Sequence, residues 1–392
     1  MQYDTLIVGA GFAGAVTARR LAEAGRRVLV LEKHDHIGGN AYDRPDAAGV
    51  LIHQYGPHIF HTNDKEVYDF LSRFTKWRDY QHTVAANIPA ADGGRTEMPV
   101  PFNLVSLRLA FGPEKAAELE QKLLDAYGAG TKVTILQLRQ NTDPDLKALA
   151  QYVYDHVFVR YTMKQWGKTP EEIDPAVTAR VPVFLSEDCR YFQDAYQGMP
   201  LEGYTALFEN MLRHENITLR TGCDARERLR FEDAPAGGQI YFDGAPFGGD
   251  VIYSGPADEL FGCCFGRLPY RTLDFKFETY PQDVWQSHGT VNYTMDEDYT
   301  RITEFKYLTG QVLPGATTIV KEYSRAYTGA EDEIPYYAIA NDDTAALYAR
   351  YAEKAAHFPR LHLLGRLAEY RYYNMDAIVA GALRLSDALV KQ

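Results

Sequence analysis

The sequence predicts an α/β fold: a Rossmann-like dinucleotide-binding domain carrying an inserted helical domain and an inserted antiparallel β-sheet domain. Three observations predict it. An apolar strand near the N-terminus runs into a glycine turn, a block of helical periodicity spans about 103 to 173, and two-residue alternation dominates from 269 to 323. In the first, LIVGAGFAG, the strand Thr5 to Val8 feeds a tight turn and an amphipathic helix running to about Ala24. Gly9 makes the turn, Gly11 lets a pyrophosphate approach the backbone, and Gly14 lets helix and strand pack closely. Gly25 stops the helix, and Arg27 to Leu31 reads as a second buried strand. Glu32 stands at the end of that strand, where a carboxylate can hold a ribose hydroxyl.

The residues that follow favour a flavin over a nicotinamide. Lys33 leads into a loop ending Gly38-Gly39-Asn40. A glycine pair directly after the ribose acid sets the backbone against a large bound ligand, and EKHDHIGGNAY resembles the FAD-binding arm of amine-oxidase-like flavoproteins. FAD is therefore the expected cofactor.

Bulk properties narrow the function. A chain of 392 residues is expected to divide into two or three domains. A net charge of −12 argues against nucleic acid as a partner and requires locally placed arginines to hold any anionic substrate. No window is apolar for the length a bilayer needs, so neither a signal peptide nor a membrane span is expected. Cys189, Cys223, Cys263 and Cys264 show no CxxC pairing, which suggests no zinc site or disulfide framework and fits a reducing, cytoplasmic setting. His53, His58 and His61 form an H-x4-H-x2-H cluster, but no cysteine or carboxylate pattern completes a metal site, and none is expected.

The expected domains are discontinuous. Residues 1–76, 200–258 and 340–392 form the FAD-binding domain; 103–178 form the helical domain; 77–102, 179–199 and 259–339 form the sheet domain. Asp143-Pro144 caps a long helix, DLKALAQYVYDHVFVRYTMKQWG, on which Phe158, Tyr161, Thr162 and Trp166 recur at helical spacing and share one face. YRTLDFKFETY, HGTVNYT, TRITEFKYLTG and ATTIVKEYS read as strands. The last helix runs from Asn374 to Val390, with Asn374 as N-cap and Asp376 in its first turn. The resemblance to amine-oxidase-like flavoproteins implies that this N-terminus points at the flavin's pyrimidine edge, where its N–H groups and dipole would stabilise negative charge on the reduced ring.

GPHIFHT (56–62), FVRYTMKQWG (158–167), VTARVP (177–182), RYFQDAYQGMPLEGYT (190–205), TRITEFK (300–306) and GRLAEYRYYNMD (365–376) occur in this order. Together they resemble the bacterial UDP-galactopyranose mutases over nearly the whole chain. The resemblance implies an isomerase that interconverts UDP-galactopyranose and UDP-galactofuranose, with N5 of reduced FAD as covalent nucleophile at the anomeric carbon. It implies that Arg180, on a loop that closes over substrate, and Arg301 hold the diphosphate, which suits two permanently charged guanidiniums. It further implies that Phe158, Tyr161, Thr162 and Trp166 meet the uridine, and that Tyr191, Asn87, Asn292, Glu322, Tyr337 and Tyr372 contact substrate. His58 is expected close to the isoalloxazine and responsive to its redox state. Gly9, Gly11, Phe12, Ala13, Gly14, Glu32, Lys33, Gly38, Gly39, Asn40, His58, Ile59, His61, Gly365, Arg366, Tyr373, Asn374, Met375 and Asp376 are the expected cofactor residues. An external reductant such as NAD(P)H and a homodimer complete the family expectation. Among the expected substrate contacts Tyr372 is chosen over Tyr370 and Tyr373 by the motif alone. The alternatives are an amine-oxidase-like FAD oxidoreductase, a non-catalytic flavin-binding protein, or the same mutase chemistry on a related nucleotide sugar.

Overall fold

The computed structural model describes residues 3–89, 94–172, 182–233, 237–330 and 333–391. Five strands form a parallel sheet in the order Ile217–Arg220, Val28–Leu31, Thr5–Val8, Asp250–Tyr253 and Leu361–Leu363. The central strands are apolar at every position because both faces are covered. Ile7, Val28, Val30 and Ile252 pack on one side with the helices Phe12–Glu23, Tyr204–Leu212 and Met375–Val390. Leu6, Leu29, Leu31, Val251 and Tyr253 pack on the other with Phe358 and with Leu229 and Ile240 of a hairpin. Gly25, at φ +88°, ends the first helix in the left-handed conformation.

A seven-stranded sheet stands beside this body, in the order Tyr337–Ala338, Tyr270–Tyr280, Thr317–Ala326, Arg301–Glu304, Thr290–Tyr293, Val84–Pro89 and Arg95–Val100. Its pairs are antiparallel with one exception: Thr290–Tyr293 runs parallel to Val84–Pro89. The exception arises where two distant stretches of chain meet, since no hairpin connects them. Two other sequence expectations change in detail. TRITEFKYLTG is strand only over Arg301–Glu304, then turns into the helix Phe305–Thr309, closed by Gly310 at φ +69°. Trp77–Asp79 pairs with Tyr196–Pro200, which also pairs with Phe60–Thr62, so this strand lies outside the large sheet.

The helical insertion packs Leu107, Leu119, Leu123, Leu138, Leu149 and Val153 into its own core against Ile88 and Met98 of the sheet. Asn103 caps Leu104–Tyr127 through the Ser106 N–H, and Gly112 (φ 72°) followed by Pro113 kinks that helix. Asp143 caps Pro144–Val153, accepting from the backbone N–H groups of Asp145 and Leu146. The expected continuous helix is interrupted: Tyr154–Phe158 forms a π turn, and Val159–Trp166 continues beyond it. The extra residue of the π turn rotates the faces relative to one another. The four-residue stripe is accordingly divided. Phe158 is buried in the helical core, and Tyr161 faces the cavity described below.

Candidate active site

Two adjoining cavities lie at the C-terminal edge of the parallel sheet and against the large sheet. The first is a groove whose lining includes Gly9, Gly11, Phe12, Ala13, Glu32, Lys33, Gly38, Gly39 and Asn40, and whose far end reaches His58, Gly365, Arg366 and Met375. Sterics demand glycine at positions 9 and 14, whereas a Cβ at position 11 would meet only ordinary contacts. A Cβ on Gly14 would stand 1.9 Å from the Gly9 carbonyl oxygen, and one on Gly11 3.6 Å from the Gly39 Cα. Gly14 thus serves helix-on-strand packing, while Gly11 and Gly39 face each other across the groove. Glu32 is buried and accepts from the backbone N–H of Ala10 (2.8 Å) and of His34 (2.9 Å). One lone pair on each oxygen remains for a diol. The groove fits a dinucleotide: bare backbone where a pyrophosphate must approach, and a carboxylate where a ribose must be held. Cys223, Asp224, Arg226, Glu259 and Ser254 also line it. They follow the third and fourth strands of the sheet in chain order, and no short motif announces them.

The second cavity shares Asn40, His58, Arg366 and Met375 with the groove, so the two meet at these residues. Of the expected residues it brings together Ile59, His61, Tyr161, Tyr191, Asn292, Arg301, Tyr337, Tyr372 and Asn374. Trp166 stands at its edge, with its ring 5.4 Å from that of Tyr337 and 6.1 Å from that of Tyr372. Arg366 lies over Tyr372 at 4.8 Å. Phe158, Thr162, Asn87, Glu322, Tyr373 and Asp376 do not line the cavity wall. Thr162 is buried behind it, Asn87 pairs opposite Tyr293 in the sheet, and Tyr373 donates to Glu369. Asp376 accepts from the Thr62 hydroxyl at 3.1 Å. Arg180 lies outside the described residues. Tyr55, His82, Phe192 and Tyr336 line the cavity without having been expected there. Tyr55 belongs to the QYGPHIFHT loop, so position beside the glycine of that motif is the signal that could have found it.

The helix bearing Tyr161 and Trp166 is held from below by cations. The Lys164 ammonium donates to the backbone carbonyls of Tyr293, Glu297 (3.0 Å) and Tyr299 (3.1 Å). Arg271 donates to the Lys164 carbonyl (3.2 Å) and the Gln165 carbonyl (3.1 Å), and Ser324 donates to Gln165 at 2.7 Å. These carbonyls are the orphan acceptors of the helix C-terminus, and the sheet satisfies them.

Burial sets the charge of the site. It pushes the His58 imidazole down to about 3, helped by His53 and by the charges of Arg366 and Arg301. His82 falls to about 3, and His53, fully enclosed, to about 4. The phenols of Tyr161 and Tyr337 are pushed up by burial, so both stay protonated donors. Arg301 is partly buried, which works against its charge, but the neighbouring Glu322 carboxylate keeps it firmly protonated. The cavity therefore presents arginine charge beside the neutral imidazoles of His58 and His82 and the phenols of Tyr161 and Tyr337, a surface suited to a phosphorylated sugar. Among the described residues no group of histidine, cysteine and carboxylate side chains could hold a metal ion. No described helix is long and apolar enough to cross a membrane. The Asn374 side chain, expected to cap its helix, makes no capping bond; its amide faces His61 Nε2 at 3.4 Å instead.

Comparison with known proteins agrees with this architecture. The family model for UDP-galactopyranose mutase matches residues 156–372, and that for an NAD(P)-binding Rossmann-like domain matches residues 7–74. A UDP-galactopyranose mutase of Mycoplasma pneumoniae is 36% identical, over 100% of this chain and 97% of its own. A dTDP-fucopyranose mutase of Escherichia coli is 34% identical, over 98% of each. The crystal structure of a reduced UDP-galactopyranose mutase has the same fold, with a TM-score of 0.68 at 16% identity, covering 100% of this chain and 94% of that one. The matched model covers more than half of the chain and these relatives span 98–100% of it: the chain belongs to the UDP-galactopyranose mutase family, a family of isomerases.

Proposed function

We propose that this protein interconverts the pyranose and furanose forms of a nucleotide-diphosphate galactose, UDP-galactose in the first instance, with bound FAD in its reduced form. The observation that carries the reading is the junction of the two cavities: a dinucleotide groove opens, at Asn40, His58, Arg366 and Met375, into a chamber lined by Arg301 and by tyrosines. When bound and reduced, FAD supplies the nucleophile, N5, at the sugar's anomeric carbon. The chain's own residues do the rest. Arg301 is the diphosphate ligand, and its charge offsets the negative charge that develops as UDP departs. Arg180 is its proposed partner. Trp166 and Tyr161 hold the base, with Phe158 and Thr162 supporting them from behind. Tyr191, Tyr337, Tyr372 and Asn292 offer neutral donors to phosphate and sugar hydroxyls. Asn87 and Glu322 act from the sheet, Glu322 by holding Arg301. The fingerprint residues, with His58, Ile59, His61, Gly365, Arg366 and the Tyr373–Asp376 turn, serve the cofactor. We further propose a homodimer, reduced by an external donor such as NAD(P)H, in the cytoplasm.

A second reading concerns the substrate. Full-length identity to a dTDP-fucopyranose mutase is within two percentage points of that to the UDP-galactopyranose mutase. Incubating the reduced, FAD-loaded protein with UDP-galactofuranose and with the furanose of dTDP-fucose in parallel separates the two. Higher kcat/KM for UDP-galactofuranose supports the first reading, higher kcat/KM for the deoxysugar supports the second, and no conversion of either overturns both.

A further inference from the structure

We propose that Asp194 is a positioning residue for the cofactor end of the cavity, acting through His61 on Asn374; the inference rests on the flavin reading above. Asp194 is itself fixed: Oδ1 accepts from Asn63 Nδ2 at 2.6 Å, and Asn63 Oδ1 in turn accepts from the Ala195 N–H at 2.9 Å. Its other oxygen meets His61 Nδ1 at 2.8 Å. That pairing lowers the Asp194 carboxyl and burial opposes it. Phe192 stacks flat on the His61 ring, centroids 3.6 Å apart at 12°, so the imidazole cannot swing away.

A carboxylate at Nδ1 keeps the proton there and leaves Nε2 as an acceptor. The group facing Nε2 is the Asn374 amide nitrogen, a donor. Asparagine is among the strongest N-cap residues, yet here its amide is diverted to His61 and makes no capping bond to the helix Met375–Val390. The same strand holds the first turn of that helix a second time, through Thr62 Oγ1 and Asp376. The strand Phe60–Thr62 thus keeps Asn374 off the helix terminus. His61 and Asn374 line the cavity beside Met375, which the groove shares. The Ala377 N–H is taken by Asp376 Oδ1 at 2.8 Å and the Ile378 N–H by the Asn374 carbonyl, so it is the Met375 and Asp376 N–H groups at the start of this 16-residue helix that remain available to negative charge on a reduced isoalloxazine. Breaking the Asp194–His61 pair lets His61 take the other tautomer, whose Nε2–H repels the amide and returns Asn374 to its cap.

The test is the flavin midpoint potential of the FAD-loaded protein. Asp194→Asn is expected to weaken binding of reduced relative to oxidised flavin about tenfold, a fall of about 30 mV for a two-electron couple. His61→Gln is expected to do the same, and the double variant no more than either alone. A wild-type potential in His61→Gln overturns the proposal whether or not Asp194→Asn folds, and additive effects overturn it equally. A wild-type protein that binds no flavin defeats the functional reading instead, before any variant is made.

Discussion

Arg301 Nε donates to Glu322 Oε1 at 2.7 Å; Glu322 is completely buried, whereas 26% of the Arg301 side chain stays exposed. The bond engages the guanidinium from its side, and no described residue accepts from its terminal nitrogens while the arginine lines the cavity. A buried carboxylate here makes a partly buried cation tolerable and aims it. Arg301→Ala is expected to lower turnover by 10²–10³, about 3–4 kcal/mol, the range for removing one donor from a site that stabilises developing charge. Arg301→Lys is expected to recover little of it, because a point charge cannot hold Glu322 and a diphosphate at once. Steady-state kinetics of the reduced enzyme check both.

Glu322→Ala leaves that partly buried guanidinium without its carboxylate. It is expected to destabilise the fold by about 3–5 kcal/mol, read by urea unfolding, and to do so less when saturating UDP supplies a counter-charge.

Gly14→Ala places a methyl group 1.9 Å from the Gly9 carbonyl oxygen. Backbone cannot yield as a side-chain tip can, so the strand, turn and helix must separate. The purified variant is expected to have lost its flavin absorbance, whereas Gly248→Ala, where a Cβ meets nothing within 4 Å and the backbone is not left-handed, is expected to keep it.

Arg271 and Ser324 satisfy the C-terminal carbonyls of the helix bearing Tyr161 and Trp166. Arg271→Ala is expected to weaken UDP binding about tenfold by calorimetry and leave FAD content unchanged, since it touches neither cavity's cofactor residues.

His53 and His82 are both almost wholly enclosed and held neutral, near 4 and 3 against 6.5 in the unfolded chain. Between these values the unfolded state binds more protons than the folded one, so stability falls as pH drops. The contribution is complete above about pH 6.5 and declines by up to about 1.4 kcal/mol per pH unit for each histidine. Urea unfolding at pH 7 and pH 5 measures it, and His82→Gln is expected to flatten the slope.

The parts of this account legible in one dimension are those whose constraints are local. Gly9, Gly11, Gly14 and Glu32 act through turn, helix and strand within thirty residues, and the caps Asn103 and Asp143 lie beside the N–H groups they serve. What is illegible depends on distant register. Tyr336 reaches the cavity because its N–H bonds the Arg271 carbonyl across the sheet. Asp43 bonds the Tyr204 and Thr205 N–H groups at the start of the helix Tyr204–Leu212, from the strand Asp43–Pro45 far earlier in the chain. The division of Phe158 from Tyr161 hangs on one π turn, which helical spacing cannot register. Asn374 reads as a cap and is turned aside by a histidine from another strand.

The central claim is that a flavin acts here without net oxidation of the sugar, and one experiment meets it directly. The purified, FAD-loaded protein is reduced with dithionite, given UDP-galactofuranose, and the products are separated by chromatography beside an oxidised control. Conversion to UDP-galactopyranose by the reduced protein alone is expected, with no stoichiometric peroxide. Turnover by the oxidised protein, or peroxide formed in step with product, would contradict it and point to an oxidase.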